Sequence, residues 1–193
     1  MNDQRPGYFA SWASLAALAP LYIFSTDLTI GLVLGMTFLV VHSAAASIAL
    51  LLPVSFGRDR IFVLSVVGAA IAASLCASTI RLLDPFLFEM TSHRLFLTAF
   101  TIPVMRAGLI PDTISDRERA WENVVRGLGS AASVVVVGAF RELIASGAVS
   151  MTMGQTQTTF LPIAGQPAGG LILLGLAAAV FKALLNAARG TTR

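Results

Sequence analysis

Charge is what this sequence has least of. Only 12% of its 193 residues are Asp, Glu, Lys or Arg, against about 25% in an ordinary soluble domain. A water-facing surface cannot be built from so few charges, so lipid must cover much of the exterior. Lysine is almost missing: Lys182 is one of 13 basic residues, and the rest are Arg. The net charge of +3 comes without a basic stripe interleaved with aromatics, which excludes nucleic acid as a partner. Cysteine occurs once, at Cys76, which rules out an intrachain disulfide and any Cys-only metal site within the chain. Histidine occurs twice, at His42 and His93. The N-terminus does not read as a cleaved signal peptide, since Asp3 and Arg5 lead into an apolar stretch that more such stretches follow.

What the chain does contain is apolar runs; mean hydropathy is +0.81. Six segments are expected. The first runs from Tyr8 to Phe24 and is broken by Pro20, with Ser25-Thr26-Asp27 as a short turn. The second runs from Leu28 to Leu52 and stops at Pro53. After the charged loop Gly57-Arg58-Asp59-Arg60, the third covers Ile61 to Leu83. Asp84 to Arg94 reads as an amphipathic connection, and the short fourth segment, Leu95 to Met105, carries Pro103. Arg106 to Glu122 is the longest charged loop, with a helix-capping pattern at Ser115-Asp116-Arg117-Glu118. Its stretch from Asp112 reads as a solvated face or a docking surface for a cytoplasmic subunit. The fifth segment covers Val124 to Ile144, and an uncharged polar loop, Ser146 to Gln166, leads to the sixth at Pro167 to Leu185. Ala and Gly along segments three, five and six permit the close backbone packing of membrane bundles.

Six crossings put ten of the thirteen basic residues on one side, among them Arg58, Arg60, Arg117 and Arg119; Arg81, Arg94 and Arg141 fall on the other. The positive-inside rule then makes both termini cytoplasmic, as in a multi-pass protein of a bacterial inner membrane. The expected fold is all-α: one integral membrane six-helix bundle spanning 1–193. The bundle is also expected to be folded over itself. Segments one and four are short and each holds a proline, Pro20 and Pro103; segments two and five open on glycines, Gly31 and Gly35 against Gly127 and Gly129; segments three and six are uninterrupted and Ala-rich. Three plus three helices predicts an inverted repeat, residues 8–83 against 95–185, with two broken half-helices bracketing a midplane site. A broken helix frees backbone groups that lipid cannot satisfy.

Within the membrane segments, ionisable residues are functional candidates. Arg141 and Glu142 would each cost about 2.5–3.5 kcal/mol at a helix centre on the insertion scale, a cost that mutual pairing near the outer interface lowers. They read as an interfacial ion pair orienting helix five, or as part of a partner interface or ion path. His42 reads either as a functional group or as a neutral imidazole bonded to Ser43 or a backbone carbonyl. Cys76, among Ala and Ser, behaves as a small apolar residue.

Gly127-Leu128-Gly129, an apolar run, then Gly138-Ala139-Phe140-Arg141-Glu142-Leu143-Ile144-Ala145-Ser146-Gly147 resembles a signature of the paired six-helix membrane subunits of the Rnf and Nqr electron-transport complexes. Leu18-Ala19-Pro20-Leu21, Arg106-Ala107 and Pro167-Ala168-Gly169 are further echoes, so the similarity spans nearly the whole chain, and the Phe-Arg-Glu-Leu run resembles the RnfE/NqrD branch. The resemblance implies a homologous six-helix partner, other complex subunits, and a 2Fe-2S cluster at the subunit interface, held by two cysteines from each subunit. Electron flow through it is coupled to sodium or proton movement. The chain departs from that pattern where the ligands would lie. A cysteine is expected just before the first proline, where this chain has Ala19, and an Asn-Cys pair in the fourth segment, where it has Phe100-Thr101; the family's Ser-Asn in helix two is Ser43-Ala44 here. Iron ligation needs a soft donor that ionises near neutral pH, and neither Ala19 nor Thr101 supplies one. The expectation is a subunit that is not catalytic alone, scaffolds its partner and binds no cofactor itself. The competing expectations are a cluster-free transporter or channel on the same fold, and a structural membrane subunit of another assembly.

Overall fold

The computed structural model describes residues 12–52, 56–106, 116–147, 166, 168–172, 175–176 and 179, and among them it is helical without strands. Six helices are complete enough to define: α1 (Trp12–Phe24), α2 (Leu28–Leu51), α3 (Arg58–Leu83), α4 (Pro85–Leu95), α5 (Leu97–Arg106) and α6 (Asp116–Ser146). Residues 168–172, 175–176 and 179 are also helical, in the region of the expected sixth segment. The expected Ser146–Gln166 loop lies outside the described residues but for its ends.

Among the described residues, three helices are long and apolar enough to cross a membrane: Leu28–Leu51, Asp59–Leu83 and Ala120–Ser146. At 1.5 Å per residue, the 24 residues of α2 reach about 36 Å, more than the ~30 Å hydrocarbon layer. α2 is the centre of the bundle and packs against α3, α4, α5 and α6, while α1 packs against α5 and α6. One face of α2 is enclosed, with Ile30, Leu34, Phe38 and Val41 buried, and the other leaves Met36, Val40 and Leu51 exposed. α3 turns a face of small residues inward, Ser65, Ala69, Ala72, Ala73 and Ala77, and leaves Val63, Val67, Ile71 and Leu75 exposed. That inversion, small inside and large outside, is what lipid allows: the tails are as apolar as Leu, so close backbone packing replaces the hydrophobic drive.

Three expected boundaries shift. Arg58-Asp59-Arg60 is the first turn of α3, which starts directly after Gly57, whose φ of +85° is a left-handed conformation that costs glycine little. Asp84 to Arg94 is a helix, since Asp84 accepts at 3.0 Å from Leu87 N–H and Pro85 occupies the first helical position, where its missing N–H costs nothing. α6 starts at Asp116, eight residues before the expected Val124. The charges of its first turns interrupt the apolar pattern but not the helix.

Candidate functional site

The α1–α2 turn gathers most of the buried charge. α1 stops at Phe24, and a helix that stops leaves its last carbonyls without partners. Each has one here. The Ser25 N–H donates to the Leu21 carbonyl at 2.9 Å. Arg141, only 1% exposed, sends Nη1 to the carbonyls of Tyr22 (3.0 Å), Ile23 (2.7 Å) and Ser25 (3.0 Å). Arg94, in the last turn of α4, donates from Nη1 to the Phe24 carbonyl at 3.3 Å and lies over the Phe24 ring. The other arm of Arg141, Nη2, donates at 2.7 Å to the Gln166 carbonyl, so one guanidinium ties α6 to the end of α1 and to the start of the last helical stretch.

The start of α2 is treated in the opposite sense. Asp27, extended at φ −146° and ψ 172°, caps the helix by accepting from Ile30 N–H at 2.8 Å, as an N-cap aspartate does. Thr26 Oγ1 steadies its other oxygen at 2.9 Å. Glu142 Oε2 accepts from the Leu28 N–H at 2.9 Å. Two cations thus sit at the negative end of one helix and two carboxylates at the positive end of the next, which is the arrangement the helix dipoles favour. Adjacent in sequence, Arg141 and Glu142 serve opposite poles of one turn.

Glycines make this approach possible. A Cβ on Gly138 would come within 2.6 Å of the Asp27 carbonyl oxygen and 3.2 Å of the Gly31 Cα, and one on Gly35 within 2.9 Å of the Ala131 carbonyl. α2 and α6 therefore run antiparallel with backbones nearly touching. Ser25 Oγ bonds the Val134 carbonyl at 3.1 Å, and the Tyr22 hydroxyl meets Ser133 Oγ at 2.8 Å.

His42 lies far from this cluster. Fourteen residues of α2 separate it from Leu28, about 21 Å. It is buried, stacks on Phe38 with ring centroids 5.6 Å apart, and places Nε2 3.2 Å from the Asn123 carbonyl. That contact makes Nε2 the donor. The imidazole fits there beside Gly127, where a Cβ would press on it at 2.8 Å.

Pro20 lies inside α1, four residues before its end; it deletes one helical hydrogen bond next to the stretch that Arg141 holds. Pro103 lies in α5, with its side chain outside the described residues. Ala19 is half-buried. Thr101 is buried and donates to the Thr98 carbonyl at 2.7 Å. Cys76 is half-buried in α3, and His93 is exposed on α4. Among the described residues no group of three His, Cys, Asp or Glu converges.

Sequence reasoning singled out Arg141 and Glu142, which the structure brings to one turn, Pro20, which lies two residues before the first carbonyl that Arg141 holds, and His42, which lies far from them. It missed Asp27, Arg94 and Gly170. The signal for Asp27 was present: Ser-Thr-Asp before an apolar run is an N-cap pattern. No local signal marks Arg94 or Gly170, because their role depends on tertiary neighbours. Compared with family models and with curated proteins, the chain matches none.

Proposed function

We propose that this chain is an RnfE/NqrD-like membrane subunit of an Rnf/Nqr-like, ion-translocating electron-transport complex, a scaffold for a homologous six-helix partner rather than a catalyst alone. The observation that carries the reading is where the signature residues fall. Gly138, Arg141 and Glu142 belong to the run that resembles the family, and each is consumed at the α1–α2 turn: one by backbone approach, two by helix-end bonds. A motif spent on holding a broken-helix segment against two neighbours suits a subunit whose task is to keep half-helices in register.

The reading includes six crossings, an inverted repeat, a bacterial inner membrane and cytoplasmic termini. Supporting the repeat, the short proline-bearing helices α1 and α5 pack together, and glycine recurs at the crossing of α2 and α6, Gly31 near one end and Gly127 near the other. The chain contributes no ligand to an iron–sulfur cluster in this proposal. A cluster needs converging thiolates or, in some types, imidazoles. Ala19 offers no donor atom, and the Thr101 hydroxyl is engaged with its own helix.

The test is purification of the native complex, with subunit identification, and with iron analysis and EPR on wild type and Cys76→Ser. Co-purification with Rnf- or Nqr-like subunits, and an iron content unchanged by the substitution, are expected. A chain purifying without such subunits would sink the assignment. A cluster signal lost from folded Cys76→Ser would make Cys76 a ligand.

A further inference from the structure

α6 is longer than a membrane is thick. Its 31 residues reach about 46 Å, and the portion apolar enough to cross begins only at Ala120. One residue later stands Trp121, 68% exposed. It does not stand alone. Val124, Leu128, Val136, Phe140 and Leu143 are also exposed, and at 100° per residue these six positions fall within an arc of about 160°. The opposite arc is the packed one, carrying Gly127, Ala131, Val134, Gly138 and Arg141. Trp121 therefore opens a continuous outward apolar stripe. Whatever solvates Val136 and Phe140 also reaches Trp121.

The two ends of the stripe fit one slab. From Trp121 to Arg141 is twenty residues, about 30 Å, the thickness of the hydrocarbon layer. At the far end the polar groups of the α1–α2 turn mark one boundary. At the near end charged and polar residues lie on both sides of Trp121, Asp116-Arg117-Glu118-Arg119 before it and Glu122, Asn123 and Arg126 after it, and from Gly127 to Phe140 no charge occurs. An indole has a large apolar body and one N–H donor, so its energy is lowest where hydrocarbon meets hydrated headgroups.

We infer that Trp121 is the interfacial anchor of α6, seated in the phospholipid headgroup layer. It sets the depth of the helix so that hydrocarbon extends from Trp121 to the level of Arg141. The inference rests on the chain's being embedded in a bilayer and is independent of the electron-transport assignment. A protein partner covering Trp121 is the competing occupant. The stripe's continuity argues against it, since such a partner would meet the same face that lipid covers further along.

Trp12 is the other of the two tryptophans, so Trp12→Phe leaves a single reporter in the full chain. The variant is reconstituted into phosphatidylcholine vesicles containing an anionic lipid, with spin labels at the headgroup, upper-chain or mid-chain position. Strongest quenching by the headgroup and upper-chain labels, falling toward mid-chain, is expected. Moving the indole one turn, by Trp121→Phe with Val124→Trp, should shift the maximum inward by about 4.5 Å. Maximal quenching at mid-chain would overturn the inference, as would protection from every lipid label in vesicles that demonstrably carry the protein. Failure of the protein to float with the vesicles would remove the membrane reading and the anchor together.

Discussion

The Arg141 guanidinium rests against Gly170: a Cβ on that glycine would lie 2.9 Å from Nη1 and 3.0 Å from Cζ. The glycine is the wall of the cradle whose other sides are the carbonyls of residues 22, 23, 25 and 166. Removing the guanidinium strands four acceptors in a buried place, and each stranded polar group costs about 1–3 kcal/mol. Arg141→Ala is expected to lose about 3–5 kcal/mol, a few such penalties summed, since two of the four bonds are only partly buried. Arg141→Lys should fall between, since an ammonium cannot span both segments with a planar fork. Thermal unfolding in detergent, followed by size-exclusion of the tagged protein, reads the order wild type, Lys, Ala. Equal stability of Arg141→Ala and wild type would show that the four carbonyls find other donors.

Glu142 offers a finer test, because its charge and its acceptor can be separated. Glu142→Gln keeps an oxygen for the Leu28 N–H and loses the interaction of its charge with the helix dipole, about 0.3–1 kcal/mol. Glu142→Ala loses both, and about 1–2 kcal/mol is expected by analogy with a deleted cap. Substituting Asp27 by Ala should cost a similar amount, since it serves the neighbouring N–H of Ile30. The double variant should cost more than the sum, because each carboxylate still shields the turn when the other is gone. Strict additivity in the double-mutant cycle would mean the two caps act independently.

Much of this was legible in the sequence, and the reason for the rest is physical. The helices long and apolar enough to span a membrane, α2, α3 and α6, follow from apolar runs of more than twenty residues, a signal that needs no neighbours. Arg141 and Glu142 stood out because ionised groups in such runs are expensive. What else they do could not be read: the sequence suggested an ion pair or a partner interface, and the structure adds that each of them serves a helix end on α1 or α2. Their partners are backbone carbonyls and an N–H, which every residue carries, so no side-chain pattern announces them. Arg94 is hidden for the same reason; it reaches Phe24 across seventy positions of chain. The expected connection at Asp84 to Arg94 turned out helical because polar residues in a short amphipathic helix look like those of a loop.

The glycines rank themselves. At Gly138 an added methyl would meet the backbone of residues 27 and 31, which cannot move without separating α2 from α6. At Gly68 it would meet only the tip of Ile48, a flexible side chain that can turn aside. At Gly175 nothing lies within 4 Å. Gly138→Ala is expected to destabilise by about 1–3 kcal/mol, the cost of overpacking, and Gly68→Ala by less. Gly175→Ala should be neutral or slightly stabilising, given alanine's better helix propensity. A loss at Gly175 as large as at Gly138 would show that helix packing is not what these glycines serve.

Sidedness follows from the antiparallel pair. The Leu28 N–H at the start of α2 bonds Glu142 near the end of α6, and His42, toward the other end of α2, bonds the carbonyl of Asn123 near the start of α6. Gly57, beyond the end of α2, is therefore on the side where α6 begins. Residues just past Ser146 are on the opposite side, if both helices cross. The first side carries Arg58, Arg60, Arg117 and Arg119, and short basic segments stay cytoplasmic. Reporter fusions after Gly57 and after Ile114 should both read cytoplasmic, and one within Thr152–Thr159 should read periplasmic. The three fusions separate two errors. If all three invert together, the helix packing stands and the charge rule has misled. If Gly57 and Ile114 disagree, α2 and α6 cannot both cross as packed, and the bundle itself is wrong. A cytoplasmic signal from all three would mean that α6 does not cross at all, leaving its outward stripe without a bilayer to face.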